Sequence, residues 1–377
     1  MSTPATAVVD LDAIAASVAA CAEAAPTAQV MAVVKADGYG HGLLPSARAA
    51  LRGGATWLGV AQLGEALALR AGGVTAPVLS WLHVPGGPMR EAVDAGVDLG
   101  VSAHWALQEI VAAAGESGRP ARVHLKVDTA LRRNGVTMAD LDDLLDALAA
   151  AQADGTVHIA GMMTHFVWAD EPEHPTTALQ LEAFTEALAR AKARGIEPDV
   201  RHAANSAATL TRPDAHFDVV RPGIACYGIS PVPQLDADFG LLPAMTLTAR
   251  VALTKRADAG DGVSYGHQWH ADVPTTLALV PLGYADGIPR NATNVGEVLL
   301  AGRRRRVAGR VCMDQFVVPV GDDEVREGDE VVLFGTGADG EPTAQDWADA
   351  TGTIAYEIVT RIGARVPRTY VGAEVGR

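Results

Sequence analysis

The sequence predicts an α/β chain in two domains, a (β/α)8 barrel over residues 1–239 and a mainly β domain over residues 240–377. Three observations carry this. Between Val30 and Ile224, eight short apolar runs alternate with alanine-rich amphipathic stretches. The runs are apolar on both faces, which belongs to parallel strands covered by helices, not to a sheet with one wet side. Beyond Phe239 and Gly240 the texture changes to short β-branched runs punctuated by proline and glycine, as in all-β structure.

The eight candidate strands are Val30–Lys35, Trp57–Ala61, Pro77–Leu82, Val97–Val101, Val123–Val127, Val157–Thr164, Val200–Ala203 and Val219–Ile224. The clearest intervening helix is Leu141–Ala153, and Thr137 with Asp140 three residues on reads as its N-terminal cap. Eight such units suit a closed barrel, although an open doubly wound sheet would show the same alternation. In the second half, TLTARVAL, TTLALVPL, EVLLAG, QFVVPV and EVVLFG read as strands, with helices over Thr343–Ala350 and Thr353–Ile362.

Composition narrows the function. With 49% apolar and 20% charged residues the chain is an ordinary globular one with a large core, and its net charge of −15 argues against nucleic-acid and anionic-membrane partners. Three scattered cysteines, Cys21, Cys226 and Cys312, read as reduced thiols. No apolar run reaches the roughly 18 residues of a membrane span, and MSTPATAVVDLDA is not a signal peptide, so a cytoplasmic location is expected.

The strongest local signal is AVVKADGYGHG, residues 32–42, where Lys35 ends an apolar strand. At the C-terminal end of a barrel strand a lysine points toward the usual ligand-binding face, and desolvation there makes it a nucleophile for an aldehyde. A surface lysine that snorkels to water fits the strand equally well. The later strand ends add polar clusters: KVDTALRRNG with Lys126, Asp128, Arg132 and Arg133; THFVWAD with His165; HAANSAA with His202, Asn205 and Ser206; RPGIACYG with Arg221, Gly223 and Ile224. Barrel closure would bring them to one mouth, and the seventh and eighth strand ends are where such barrels often bind phosphate. The Ser206 hydroxyl and the Gly223 and Ile224 amides are candidate donors.

Three other patterns are set aside. Gly335–Gly340 satisfies GxGxxG, yet no helix opens on it and Pro342 follows, so a glycine-rich loop is expected. Arg303–Arg306 lies in a strand-like stretch, where alternation sends residues to both faces and a solvated edge or subunit contact is expected. His165, Asp170, Glu171, Glu173 and His174 lack the helical histidine pair of a zinc site and are broken by Pro172 and Pro175, so no metal is expected.

Taken in order, VVKADGYGHG, HLKVDT, THFVWAD, HAANSAA, RPGIACYG, VSYG, PLGYADG, GRVCMDQ, AYEI and RVPR resemble the bacterial alanine racemases, fold-type III pyridoxal 5′-phosphate (PLP) enzymes, over nearly the whole chain. The resemblance implies that Lys35 carries PLP and serves as the base on the D face of the substrate, and that Tyr265 serves on the L face. A phenol titrates near 10 and so needs tuning. The family provides it by a relay from Tyr265 through His165 to Arg221, which donates to the PLP ring nitrogen. Tyr39, Ser206, Gly223, Ile224 and Tyr356 would hold the phosphate, with His165 and Asn205 also on the cofactor side. Arg133 and the Met313 N–H would bind the substrate carboxylate, Tyr284 would help close the entrance, and Lys126 matches a lysine often carbamylated. A homodimer with shared active sites, interconverting L- and D-alanine for peptidoglycan, follows from the same likeness.

Other readings are a racemase of another small amino acid such as serine, a PLP decarboxylase on the same plan, and a non-catalytic PLP-binding regulator. The chain departs from the family at Ala130, which stands for a glycine, and at Leu131, which stands for a methionine. The first is tolerable where φ need not be positive.

Overall fold

A computed structural model describes residues 3–235 and 237–373, which divide into two compact units. One gathers Ile14–Gly38 and Leu43–Leu241. Its strands are Gln29–Val33, Trp57–Val60, Val78–Ser80, Asp98–Val101, Ala121–Asp128, Val157–Met163, Val200–His202 and Val219–Val220. They pair in parallel with their neighbours in chain order from the first to the seventh, and the eighth pairs with the first through Val219 and Gln29. The remaining seam is bridged by Asp218 N–H to Arg201 O at 3.0 Å and Arg221 N–H to Ala204 O at 2.9 Å. The sheet therefore closes on itself, and all eight strands expected from the sequence belong to it.

Inside, Met31, Trp57, Leu79, Met163, Val200 and Val219 form one buried cluster drawn from six of the strands. Each such side chain contributes roughly 1.5–3 kcal/mol by leaving water. The interior also admits polar groups. Gly161 leaves room for the His124 ring, which would stand 2.2 Å from a β-carbon there.

The helix Leu141–Ala153 forms as expected, but its cap differs. Asp140 occupies the N-cap position without a side-chain cap bond, while Thr137 belongs to a short strand, Val136–Thr137. The Thr137 hydroxyl donates to Asp140 Oδ2 at 2.7 Å and accepts the Asp140 N–H at 3.2 Å, so the pair builds the turn before the helix.

The other unit contains Tyr39–Gly42 and the chain from Leu242 onward, together with the N-terminal residues up to Ala13. That last assignment differs from the sequence expectation, which left residues 5–13 with the barrel. Strand Ala5–Asp10 alternates buried and half-buried residues, the mark of a half-covered sheet and not of a barrel interior. It lies antiparallel to Met245–Arg250 and parallel to Arg368–Val371 in a six-stranded sheet that also holds Glu330–Phe334, Glu297–Leu300 and Arg303–Arg306. A second sheet joins Leu253–Ala257, Thr275–Val280 and Phe316–Gly321. Helix Ala344–Thr351 carries a Thr343–Asp346 capping box, and Ala355–Thr360 follows it. Among the described residues no helix is long and apolar enough to cross a membrane.

Candidate active site

Lys35 does not end a strand; it opens a left-handed turn. The first barrel strand stops at Val33, and Ala36, Asp37, Gly38 and Tyr39 then take φ of 54°, 54°, 61° and 52°. Consecutive L-residues in this region cost on the order of 1 kcal/mol each, so the turn needs holding. Gly38 N–H returns to Val34 O at 2.9 Å, and Asp37 Oδ1 accepts Leu43 N–H at 2.8 Å. Glu65 supplies a third restraint, accepting Ala36 N–H at 2.6 Å and the Ala61 and Gln62 amides at 3.0 Å each. A β-carbon at Gly38 would meet Ser46 Oγ at 2.6 Å, so glycine is needed there for space as well as for φ. Burial, reinforced by the Arg133 charge and partly opposed by Glu65, lowers the Lys35 amine below the ordinary lysine range.

Arg221 follows the eighth strand and is buried. Its Nη1 donates to His202 Nδ1 at 3.0 Å, and its Nη2 donates to Thr164 O at 2.6 Å and Ala203 O at 3.1 Å and lies 3.5 Å from His165 Nδ1. Burial draws this guanidinium down to about 10. His165 is pushed well below the usual imidazole value by burial and then by Arg221, Lys126, Arg133 and Lys35, and is neutral. Gln180 positions its main chain, with Nε2 donating to His165 O at 3.1 Å and Oε1 accepting Val167 N–H at 3.0 Å. Lys126 is lowered to about 8 by burial and by Arg221, Arg133 and Lys35, against the opposing charge of Asp128. Lys35, Lys126, Arg133, His165 and Arg221 thus share one electrostatic neighbourhood at the C-terminal end of the barrel.

Asp128 Oδ1 accepts the N–H groups of Ala130 and Arg132 at 3.0 Å each, shaping the loop that presents Arg133. Ala130 does carry a positive φ, 156°, so the condition under which alanine replaces glycine freely is not met there.

At the seventh and eighth strand ends, Ser206 Oγ accepts Gly223 N–H at 2.7 Å and Ala225 N–H at 3.4 Å. The expected donors are adjacent, but the Gly223 amide is turned onto the serine. Asn205 caps the helix Ser206–Thr211 through Oδ1 and the Ala208 amide, and Ile224 is buried in the following turn.

The sequence reading missed Asp98 and His124, which join His202 in a buried chain of hydrogen bonds. His124 Nδ1 is 2.8 Å from His202 Nε2, and His124 Nε2 is 3.1 Å from Asp98 Oδ2. The available signal was a polar residue inside an otherwise apolar strand, as in VDLGV and VHLKV.

In the other unit, Tyr265, Tyr284 and Met313 are exposed at 71%, 43% and 53%. Their loops are stitched around Cys312: Tyr284 N–H donates to Cys312 O at 3.0 Å, Ala285 N–H to Met313 O at 2.9 Å, and Ser264 Oγ lies 3.4 Å from Cys312 Sγ. Tyr39 and Tyr356 form a tilted ring pair with centroids 6.3 Å apart. The Gly335–Gly340 loop closes on its own carboxylate, Glu341, which accepts the Gly337 and Asp339 amides. In the edge strand Arg303–Arg306, Arg303 and Arg305 pair with Asp323, Arg304 with Asp346 and Arg306 with Glu297.

The barrel residues fit an aldehyde that carries a phosphate and an aromatic nitrogen. Lys35 offers a depressed amine, the Ser206 hydroxyl offers an uncharged donor, and Arg221 offers a buried cation beside a neutral histidine.

Residues 9–231 match the family model described as alanine racemase, N-terminal domain, and residues 244–370 match alanine racemase, C-terminal domain. The chain is 59% identical to an alanine racemase of Thermobifida fusca over 99% of its length and 100% of that protein's. It is 62% identical to one of Frankia casuarinae over 97% and 96%. Among solved structures, the alanine racemase of D-cycloserine-producing Streptomyces lavendulae superposes with a TM-score of 0.98 at 55% identity, covering 99% of this chain and 98% of that one. The alanine racemase of Streptomyces coelicolor A3(2) gives 0.97 at 57% identity, with 98% of each covered.

Proposed function

This chain belongs to the alanine racemase family, and from that premise we propose that it interconverts L- and D-alanine with PLP held on Lys35, in a cytoplasmic homodimer that supplies D-alanine for peptidoglycan. The observation that carries the reading is the convergence of Lys35, Lys126, Arg133, His165 and Arg221 at the C-terminal mouth of the barrel, with the Lys35 amine depressed. A cationic pocket suits an anionic cofactor and a substrate carboxylate, and a depressed lysine is both a nucleophile and a base.

When bound, PLP supplies an electron-withdrawing ring system that acidifies the α-carbon of an attached amino acid. The protein does the rest. Arg133 and the Met313 amide hold the carboxylate. Lys35 Nζ takes or returns the α-proton on the D face, and Tyr265 Oη does so on the L face. Racemisation needs two bases on opposite faces, because the proton leaves one side and returns on the other. Arg221 would donate to the ring nitrogen and keep its own proton, which would leave the nitrogen largely unprotonated and restrain competing transamination. Ser206, Gly223, Ile224, Tyr39 and Tyr356 serve the phosphate, with Asn205 fixing the helix start beside it. Tyr284 narrows the entrance, and a carbamate on Lys126 would orient Arg133. Tyr265, Tyr284 and Met313 would come from the partner subunit, a reading that their exposure in a single chain supports.

The test follows the optical rotation of L-alanine with purified protein and PLP, with CO2 release measured in parallel and serine as a second substrate. Loss of rotation without CO2 supports the reading. Stable rotation, CO2 release or a preference for serine refutes it. Borohydride reduction should place a pyridoxyl group on Lys35, and peptide mapping to another lysine would reassign the cofactor site.

A further inference from the structure

Arg221 is a buried cation whose direct partners are all neutral: Thr164 O, Ala203 O, His202 and His165. Among the described residues no carboxylate forms a salt bridge with it. Burying a charge in this way is costly unless it is compensated. The compensation runs through the barrel interior. Asp98 opens the fourth strand, His124 lies within the fifth, His202 ends the seventh and Arg221 follows the eighth, so the hydrogen-bonded chain spans the barrel between its two ends.

Its polarity is forced from one end. A guanidinium only donates, so His202 Nδ1 must accept. Burial, then the Arg221 charge, pushes His202 well below the usual imidazole value, so it is neutral with its proton on Nε2. That proton can go only to His124 Nδ1, which leaves the His124 proton on Nε2, pointing at Asp98 Oδ2. A doubly protonated His124 would set two donors against each other or force a proton onto His202 Nδ1, where Arg221 already donates. At the far end burial opposes ionisation of Asp98, but the hydrogen bonds from His124 and Arg122 and the charge of Arg122 outweigh it and hold the carboxyl below its ordinary value. Arg122 Nε donates to Asp98 Oδ1 at 3.0 Å.

We propose that Asp98, His124 and His202 are positioning residues for Arg221: a hydrogen-bond chain of fixed direction that keeps the guanidinium charged and turned to the cofactor's ring nitrogen. The contact to that nitrogen rests on the function proposed above; the direction of the chain does not. In this arrangement, one carboxylate on the far side of the barrel sets how firmly Arg221 withholds protonation from the ring, and so how faithfully the enzyme racemises instead of transaminating.

The first measurement is 15N NMR of the apoprotein with labelled histidine, which distinguishes imidazole tautomers. Both His124 and His202 should be neutral and protonated at Nε2; a proton on Nδ1 of either ring overturns the proposal. The second compares holoenzymes of Asp98→Asn, which keeps one acceptor oxygen and removes the charge, and His124→Phe, which keeps a ring and breaks the chain. The readout is the ratio of racemisation turnovers to pyridoxamine 5′-phosphate formed, which does not depend on how much protein is folded. That ratio should fall about tenfold in His124→Phe, the low end of what outer-shell partners contribute elsewhere, and by less in Asp98→Asn. An unchanged ratio in both overturns the proposal. Should the variants not fold, the wild-type tautomers still decide the chain's direction. A wild-type protein that fails to racemise alanine would refute the proposed function while leaving the NMR result standing.

Discussion

The Ser206 hydroxyl oxygen accepts the Gly223 N–H at 2.7 Å, tying the end of the seventh barrel strand to the turn after the eighth. Both groups belong to the proposed phosphate site. A bound phosphate would compete for the Gly223 amide while the serine hydroxyl turns to donate. Ser206→Ala should therefore weaken PLP binding about tenfold, the worth of one hydrogen bond to a charged group, and cost the apoprotein only about 1 kcal/mol. Fluorescence titration with PLP and thermal melting of the apoprotein measure the two effects. Undiminished PLP affinity would remove Ser206 from the phosphate site.

Lys126 gives a pH prediction whose sign follows from its lowered value. Folding brings this amine from 10.5 to about 8, so the folded chain holds the proton less tightly than the unfolded one. Below about 8 the lysine is charged in both states, and the folded protein bears the full penalty. As the pH rises from about 8 toward 10.5 the penalty fades, and stability rises. Lys126→Met should stabilise the apoprotein by about 3 kcal/mol at pH 7 in CO2-free buffer, and the gain should vanish near pH 10.5. Melting of both proteins across that range checks it. Labelled bicarbonate should give a carbamate signal in the wild type that the variant lacks, since a partly neutral amine is what CO2 attacks.

Glu65 links the strained turn at Lys35 to the amine's charge. Its carboxylate accepts three backbone N–H groups, including that of Ala36, and opposes the depression of Lys35. Glu65→Gln keeps one acceptor oxygen and loses the charge. We expect a loss of about 1–3 kcal/mol in stability and a lower pH midpoint for covalent capture of PLP, because Lys35 then sheds its proton more readily. Stopped-flow capture against pH reads the second effect. A midpoint that stays in place or rises would show that Glu65 does not act on Lys35.

Much of this was legible in the sequence because the barrel repeats one pattern. Each strand has to be apolar on both faces, so Val30, Val78 and Val123 mark strands, and the polar residues after them mark the mouth. What stayed hidden depended on backbone conformation or on closure. The left-handed run at Ala36–Tyr39 carries alanine, aspartate and tyrosine where such φ values call for glycine, so composition pointed away from it. Strand Ala5–Asp10 pairs with Met245–Arg250 and Arg368–Val371, more than two hundred residues away, and no local signal reports such partners. Asp98 and His124 are polar residues in otherwise apolar strands, and only the closed barrel sets them in a chain with His202. Tyr265 was the reverse case: its turn residues say nothing of catalysis, and only the VSYG resemblance singled it out.

Mixed dimers of two inactive variants reveal whether active sites are shared between subunits. Lys35 lies in the barrel unit and Tyr265 in the other, where it is 71% exposed. If each site takes Lys35 from one protomer and Tyr265 and Met313 from its partner, then Lys35→Ala and Tyr265→Ala proteins should complement. A mixed dimer has one site that receives both intact residues and one that receives neither. With equal amounts and random pairing, about half the dimers are mixed, and one of the two sites in each is whole, so activity should recover to roughly a quarter of wild type. Native mass spectrometry confirms that subunits have exchanged. If Tyr265 instead serves its own chain, every site in every mixed dimer lacks one base, and exchange restores nothing. Recovery that tracks the mixed-dimer fraction supports sharing, whereas exchanged but inactive dimers would place both bases of each site on one chain.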